Sequence, residues 1–195
     1  MTLTSNVITV AENGGAGTVT ATLSVATYAD VIVELGGTED EAGTATEGTD
    51  YTSDYTTAIT ISAGSLTGTT SGASIADDIY EGNETVNVPI DSVSGGGATE
   101  SGDQLVTITI IDSLAAPTVT LTSSAASIAE PVSSSSSLTL TATLNRSTYE
   151  TVTVTLSTSG TSTAGTDYAS LSSITISAGN ITGSTTFNPT PYTLF

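Results

Sequence analysis

Cysteine, histidine, lysine and tryptophan are all absent from the 195 residues, and Arg146 is the single basic side chain. Without His or Cys there is no Ser-His-Asp triad, no Cys-His nucleophile and no zinc site of the usual nitrogen and sulfur type. Without Lys there is no Schiff base and no P-loop. Carboxylate chemistry is what survives, either a glycosidase pair or oxygen-ligated metal. No Trp is present to form a sugar platform, and the chain is expected not to be an enzyme. Lack of cysteine also means that no covalent staple holds the fold. No apolar run reaches the roughly 18 residues that a membrane-spanning helix needs, and Met1 leads into strand-like sequence rather than a basic and apolar leader. The Lys-free acidic surface nevertheless leads us to expect an extracellular or cell-surface protein, whose signal has been removed or lies outside this sequence.

What is present is acid and threonine. Twenty Asp and Glu against one Arg give a formal net charge of -19. Such a surface is repelled by phosphates rather than releasing their counterions, and by anionic membranes for the same reason, so neither nucleic acid binding nor membrane insertion is expected. Cations are its natural ligands. Threonine supplies 42 residues, while Leu, Ala, Glu and Lys in helical spacing are scarce, so the chain reads as all-β. Alternation supports this: Val19, Ala21 and Leu23 are interleaved with Thr18, Thr20 and Thr22, and Leu140, Ala142 and Leu144 with Thr139, Thr141 and Thr143.

Those two segments are copies of one another. "TATLS" at 20–24 returns as "TATLN" at 141–145, "VIVEL" at 31–35 as "VTVTL" at 152–156, "GTDY" at 48–51 again at 165–168, and "ITISAG" at 59–64 again at 174–179. The spacing of 115 to 121 residues is one sandwich-sized domain. The expected organisation is a complete domain over 1–116 and a second over 117–195, joined near "SLAAP". The second alignment ends around Thr193, so copy two lacks counterparts of "YEGNETVNVPI" and "QLVTITIID", the last two strands of copy one. A sandwich without them leaves a core face and strand edges open. Three explanations stand: the sequence is a fragment, the following residues are untraced, or a neighbouring chain donates strands. A fragment is the simplest; the visible candidate donor is the extended start, Met1 to Val10.

The acids are unevenly placed, with 17 of 20 in residues 1–116 and only Glu130, Glu150 and Asp167 beyond. "DDIYEGNE", Asp77 to Glu84, packs four carboxylates into eight residues. Two like charges at 4 Å repel by ~4 kcal/mol at an effective dielectric of about 20. Either the side chains splay into water, or a cation among them turns the cost into binding energy.

The repeated unit resembles the Calx-β domain, an immunoglobulin-like sandwich of sodium–calcium exchangers, certain integrins and long bacterial surface proteins. The resemblance is carried by "ITVAENGG" (8–15), "GTATEGTDY" (43–51), "ITISAG" (59–64), "IADDIYEGNETVNV" (75–88) and "VTITIID" (106–112), in the family's order and spacing. It implies tandem Greek-key β-sandwiches, the second lacking its last two strands. It also implies calcium held by loops at one end, at the matching positions Glu12, Asp50, Asp77, Asp78, Glu81, Glu84 and Asp112. Calcium takes about 6–8 oxygens at roughly 2.3–2.6 Å in irregular geometry, which suits side chains from separate loops. Two departures imply fewer or weaker ions than the family's best binders: Ala76 precedes Asp77, and Ser113 and Leu114 follow Asp112. Copy two keeps Glu130 and Asp167 alone and is not expected to hold a complete site.

Other features have plainer readings. Glu39, Asp40, Glu41 and Glu47 fit a hydrated loop, "SGGGATESGD" a hairpin connection and "SSSSS" at 133–137 a loop. Tyr80 suits a packed corner between strands. Asn83, Asn145 and Asn180 open glycosylation sequons, meaningful only where the enzyme exists. The reading is a structural calcium-binding module of an adhesin stalk, fibre or matrix component, the ion stiffening the loops and the join between modules. Its partners would be calcium and copies of itself or neighbouring repeats. The alternatives are a filament subunit completed by strand donation, and a carbohydrate-binding or hydrolysing domain.

Overall fold

In a computed structural model of the chain, residues 1–36, 43–53, 55, 57–131 and 136–191 are described. The acids Glu39, Asp40 and Glu41, the serines 133–135 and Thr193 lie outside them. The described residues form fourteen strands and no helix. They divide into two compact units: residues 1–77 with 82–114, and residues 115–195 with the short segment 78–81.

The first unit is two facing sheets. One has the order β1 (Thr2–Ser5), β3 (Ala16–Thr22), β7 (Thr67–Ser74), β5 (Tyr51–Ser53). The other runs β2 (Thr9–Ala11), β9 (Leu105–Ile111), β8 (Glu84–Ser94), β4 (Val31–Leu35), β6 (Ile59–Ile61). Period-two patterning decides which face is dry. Val19 and Ala21 of β3, Val31 and Val33 of β4, and Ile61 of β6 are wholly buried against Val86, Val88, Val106, Ile108 and Ile110 of the β8–β9 pair. Ile32 and Thr60 on the alternate positions stay exposed.

Two local events position the loops. Between β1 and β2 the chain changes sheets across Asn6, whose side-chain oxygen accepts the Thr18 N–H at 2.7 Å. β1 pairs antiparallel with β3, whereas β2 pairs parallel with β9, Thr9 beside Thr109 and Ala11 beside Ile111. The residue after β2 is therefore delivered to the exit of β9. In β8, Pro89 can donate no ladder hydrogen bond, and close by the register against β4 slips: Glu34 faces Ser92 but Leu35 faces Ile90, a bulge that leaves Asp91 over.

The second unit repeats part of this plan. β10 (Val119–Ser123), β11 (Leu138–Leu144) and β14 (Thr182–Phe187) form one sheet, and β12 (Val152–Val154) with β13 (Ile174–Ile176) another. Ala142, Leu144, Ile174 and Ile176 make its core. Among the described residues no strand stands in the places of β8 and β9, as the repeat alignment anticipated. Tyr80, expected to pack at a corner, belongs to this unit through its backbone. It donates its N–H to the Ser147 carbonyl at 3.1 Å and accepts from the Tyr149 N–H at 3.1 Å.

Candidate functional site

The acidic residues of copy one converge because three chain segments are tied together by backbone hydrogen bonds. The first is the turn after β2. Glu12 donates its N–H to the Ile111 carbonyl at 3.0 Å, a continuation of the parallel β2–β9 pairing. The turn closes through Gly15 N–H to Ala11 O at 2.9 Å, and Gly14 adopts φ +97°, which a side chain would resist. Glu12 is only 6% exposed, and its Oε2 accepts the Ser113 N–H at 2.8 Å.

The second segment is the "GTDY" turn. Asp50 Oδ2 accepts the Thr46 N–H at 2.5 Å, while Asp50 N–H donates to Thr46 O at 2.9 Å. The Ile75 N–H reaches the Asp50 carbonyl at 2.8 Å and brings in the third segment, two residues ahead of Asp77. Asp50 is 7% exposed, and its Oδ1 is buried with no hydrogen-bond partner among the described residues. A buried carboxylate oxygen in that condition costs several kcal/mol unless a cation or donor satisfies it.

The third segment carries the acidic run. Gly82 N–H donates to Asp112 Oδ2 at 2.7 Å, and Asp112 N–H donates to Asn83 Oδ1 at 3.3 Å, fixing the run against the end of β9. Leu114 N–H donates to the other oxygen, Oδ1, at 2.7 Å, an Asx turn.

Two groups of carboxylates result. Oxygens of Glu12, Asp77 and Glu81 lie within 4.8 Å of one another, as do oxygens of Asp50, Glu81 and Glu84. Glu81 belongs to both. Of the seven positions singled out from sequence, five thus come together. Asp78 is exposed and stands in neither group. Asp112 stands in neither as well, and both its oxygens accept backbone N–H groups, so it works as a clasp between the acidic run and the exit of β9. That role is legible in the Asp-Ser-Leu spacing as an Asx turn.

The electrostatics are those of an anionic, partly dehydrated tip. Tyr51, next to Asp50, has its hydroxyl pKa raised, first by burial and then by the charges of Glu47 and Asp50. An all-oxygen, all-anionic donor set with one orphaned buried oxygen fits a hard divalent cation and offers nothing to a soft one.

The second unit keeps the turn but not the cluster. Asp167 Oδ2 accepts the Thr163 N–H at 2.6 Å, and Thr190 N–H reaches the Asp167 carbonyl at 2.9 Å, matching Asp50 and Ile75. Glu130 is exposed, and among the described residues neither it nor Asp167 joins a metal-competent group.

The Calx-beta domain profile matches this chain twice, over residues 1–114 and 112–181. Among curated proteins none matches it in sequence. Similar solved structures include CBD12 from CALX1.2, at 22% identity and TM-score 0.44, covering 93% of this chain and 72% of that one. Another is the calcium binding domain CBD12 of CALX1.1, at 16% identity and TM-score 0.39, covering 93% and 71%. With the family profile spanning most of both repeats, the chain belongs to the Calx-beta domain family and carries the domain in tandem.

Proposed function

We propose that the first repeat is a calcium-binding structural module and that the chain is part of an extracellular surface protein, as a stalk, fibre or matrix component. The observation that carries the calcium reading is Asp50 Oδ1, a buried oxygen without a hydrogen bond in a residue grouped with Glu81 and Glu84. Asp50, Glu81 and Glu84 would hold one ion, and Glu12 and Asp77, sharing Glu81, a second position. Waters and backbone carbonyls would complete the six or more oxygens that calcium takes. Asp78 and Asp112, also expected as ligands, are left to solvent and to the clasp.

Bound calcium would cancel the repulsion among these side chains and pin the three loop segments to one another. Family membership supports the reading, as does CBD12 of CALX1.1, which is itself described as a calcium binding domain. The extracellular setting rests on the surface: no Lys, a net charge of -19, and a need for a cation that is plentiful outside cells. Since Asp112 to Leu114 run straight into the second repeat, calcium would stiffen the join as well; scattering profiles that are identical with and without chelator would remove that step.

The test of the calcium reading is thermal unfolding of the whole chain in calcium and in chelator. A site filled to about 100 times its dissociation constant stabilises by about 2.7 kcal/mol. Melting of the first repeat should therefore rise clearly in calcium and not in the same concentration of sodium. An unchanged melting temperature in millimolar calcium would leave the acids as surface decoration.

A further inference from the structure

Of the seven asparagines in the chain, most have carboxamides that are already in use. Asn6, Asn83, Asn87 and Asn145 each accept a hydrogen bond at Oδ1, and Asn188 donates one from Nδ2. Among the described residues the side chains of Asn13 and Asn180 make none. The residue that follows separates these two. Asn180 precedes the branched Ile181, whereas Asn13 precedes Gly14, and this is the single Asn-Gly pair of the sequence.

The turn that holds Asn13 is open at one glycine and tight at the next. Asn13 and Gly14 are exposed, and a Cβ on Gly14 would meet nothing within 4 Å. A Cβ on Gly15 would come within 2.6 Å of the Ala11 carbonyl oxygen and 2.8 Å of Val10 Cβ. The Gly14 nitrogen, whose N–H donates to Glu12 O at 2.8 Å, therefore sits at the solvent side of the turn with no side chain to shield it. The second repeat has Pro131 in the matching place, after the same Ala-Glu, so the arrangement belongs to the first repeat.

We infer that Asn13 is a site of self-modification, converting in water to isoaspartate and aspartate with loss of ammonia. The Gly14 nitrogen attacks Asn13 Cγ and gives up its proton, and the side-chain nitrogen leaves with that proton as ammonia, which closes a five-membered succinimide. Water then opens the ring. Breaking the bond from Cγ to nitrogen gives aspartate, and breaking the bond from the main-chain carbonyl carbon to nitrogen gives isoaspartate, in which the backbone passes through Cγ. One water is consumed and one ammonia released, with no oxidation or reduction.

Isoaspartate inserts one methylene into the backbone between Glu12 and Gly15, and Gly15 has no room to shift. The extra length is taken up on the Glu12 side, where Oε2 holds the Ser113 N–H at 2.8 Å. This last step bears on the calcium reading above and rests on it: the position formed by Glu12, Asp77 and Glu81 weakens as the chain ages.

The test incubates the whole chain at mildly alkaline pH and maps its peptides by mass, with isoaspartate identified by enzymatic methylation. The Asn13 peptide should lose its amide roughly tenfold faster than the Asn180 peptide, since glycine leaves the attacking nitrogen unhindered, and Asn13→Gln should remove the isoaspartate signal. Equal rates at Asn13 and Asn180 would overturn the inference. In chelator, amide exchange at Glu12 and Ser113 should quicken roughly tenfold in the aged chain but not in freshly made Asn13→Asp, which adds the charge without the methylene. Unchanged exchange in chain shown to carry isoaspartate would refute the effect on the turn. A fresh chain that does not respond to calcium would instead remove the calcium reading, with the conversion of Asn13 still standing on its mass map.

Discussion

Asp50→Asn separates the two jobs that the Asp50 carboxylate performs. The amide oxygen can still accept the Thr46 N–H, the bond made by Oδ2 at 2.5 Å, so the turn is preserved. The substitution removes the charge and turns the orphaned Oδ1 into a donor facing carboxylates. Oxygens of Asp50, Glu81 and Glu84 lie within 4.8 Å, and each pair at that distance repels by ~3.5 kcal/mol at an effective dielectric of 20. Glu81 and Glu84 are half-exposed, and solvent screening brings the relief to ~1–2 kcal/mol. In chelator, therefore, Asp50→Asn should be as stable as the parent or more so, by about 1 kcal/mol. In calcium the order should reverse, because losing one anionic ligand of three weakens binding at least tenfold, about 1.4 kcal/mol. Urea unfolding of both proteins in chelator and in several calcium concentrations reads the crossing directly. Equal destabilisation in both conditions would refute the reasoning, for it would mean that the carboxylate matters only as a turn acceptor.

Three further outcomes follow from the same geometry. Asp112→Ala releases the N–H groups of Gly82 and Leu114 and should cost about 2 kcal/mol in chelator as much as in calcium, seen as an equal drop in urea midpoint. Asp167→Asn should leave the calcium response of the chain unchanged, as measured by the same titration, since that carboxylate caps its turn without joining a cluster. Tyr51 gives a pH signature: burial, then Glu47 and Asp50, hold its hydroxyl above the ordinary value of 10.0, so above that pH the folded chain binds more protons than the unfolded one. The corresponding stability is complete below pH 10 and is lost as pH climbs toward the folded value; Tyr51→Phe should flatten the loss, and calcium beside Asp50 should shrink it, in urea midpoints taken between about pH 8 and 11.

Strand content, the duplication and the core were open to reading because each rests on local pattern. Threonine alternating with Val, Ile and Leu leaves one dry face whatever the topology, and the duplicated "ITISAG" and "GTDY" mark equivalent places. The missing hairpin of copy two was equally plain from alignment. The roles of individual acids were not, since they depend on which segment's N–H groups lie within reach. Asp112 follows a strand and Asp50 precedes one, yet they look alike as letters. One is committed at both oxygens to Gly82 and Leu114; the other keeps an oxygen in reserve. The parallel pairing of β2 on β9, which seats Glu12 beside Ser113, is likewise invisible to a period-two pattern, because it follows from a change of sheet at Asn6.

Division of labour within single carboxylates has a consequence for how an ion would be received. Glu12 spends Oε2 on the Ser113 N–H, and Asp50 spends Oδ2 on the Thr46 N–H, so each side chain is oriented before any cation arrives. Ordering those loops is normally part of the cost of binding, and here it is met by backbone hydrogen bonds formed on folding. The cost is moved to the folded state itself, where like charges are held close. The second repeat isolates this trade: Asp167 makes the same turn with the same bond at 2.6 Å, but among the described residues it joins no metal-competent group of carboxylates. The turn bond is thus present in both copies, and the readiness for a cation belongs to the copy whose loops also bring Glu81 and Glu84.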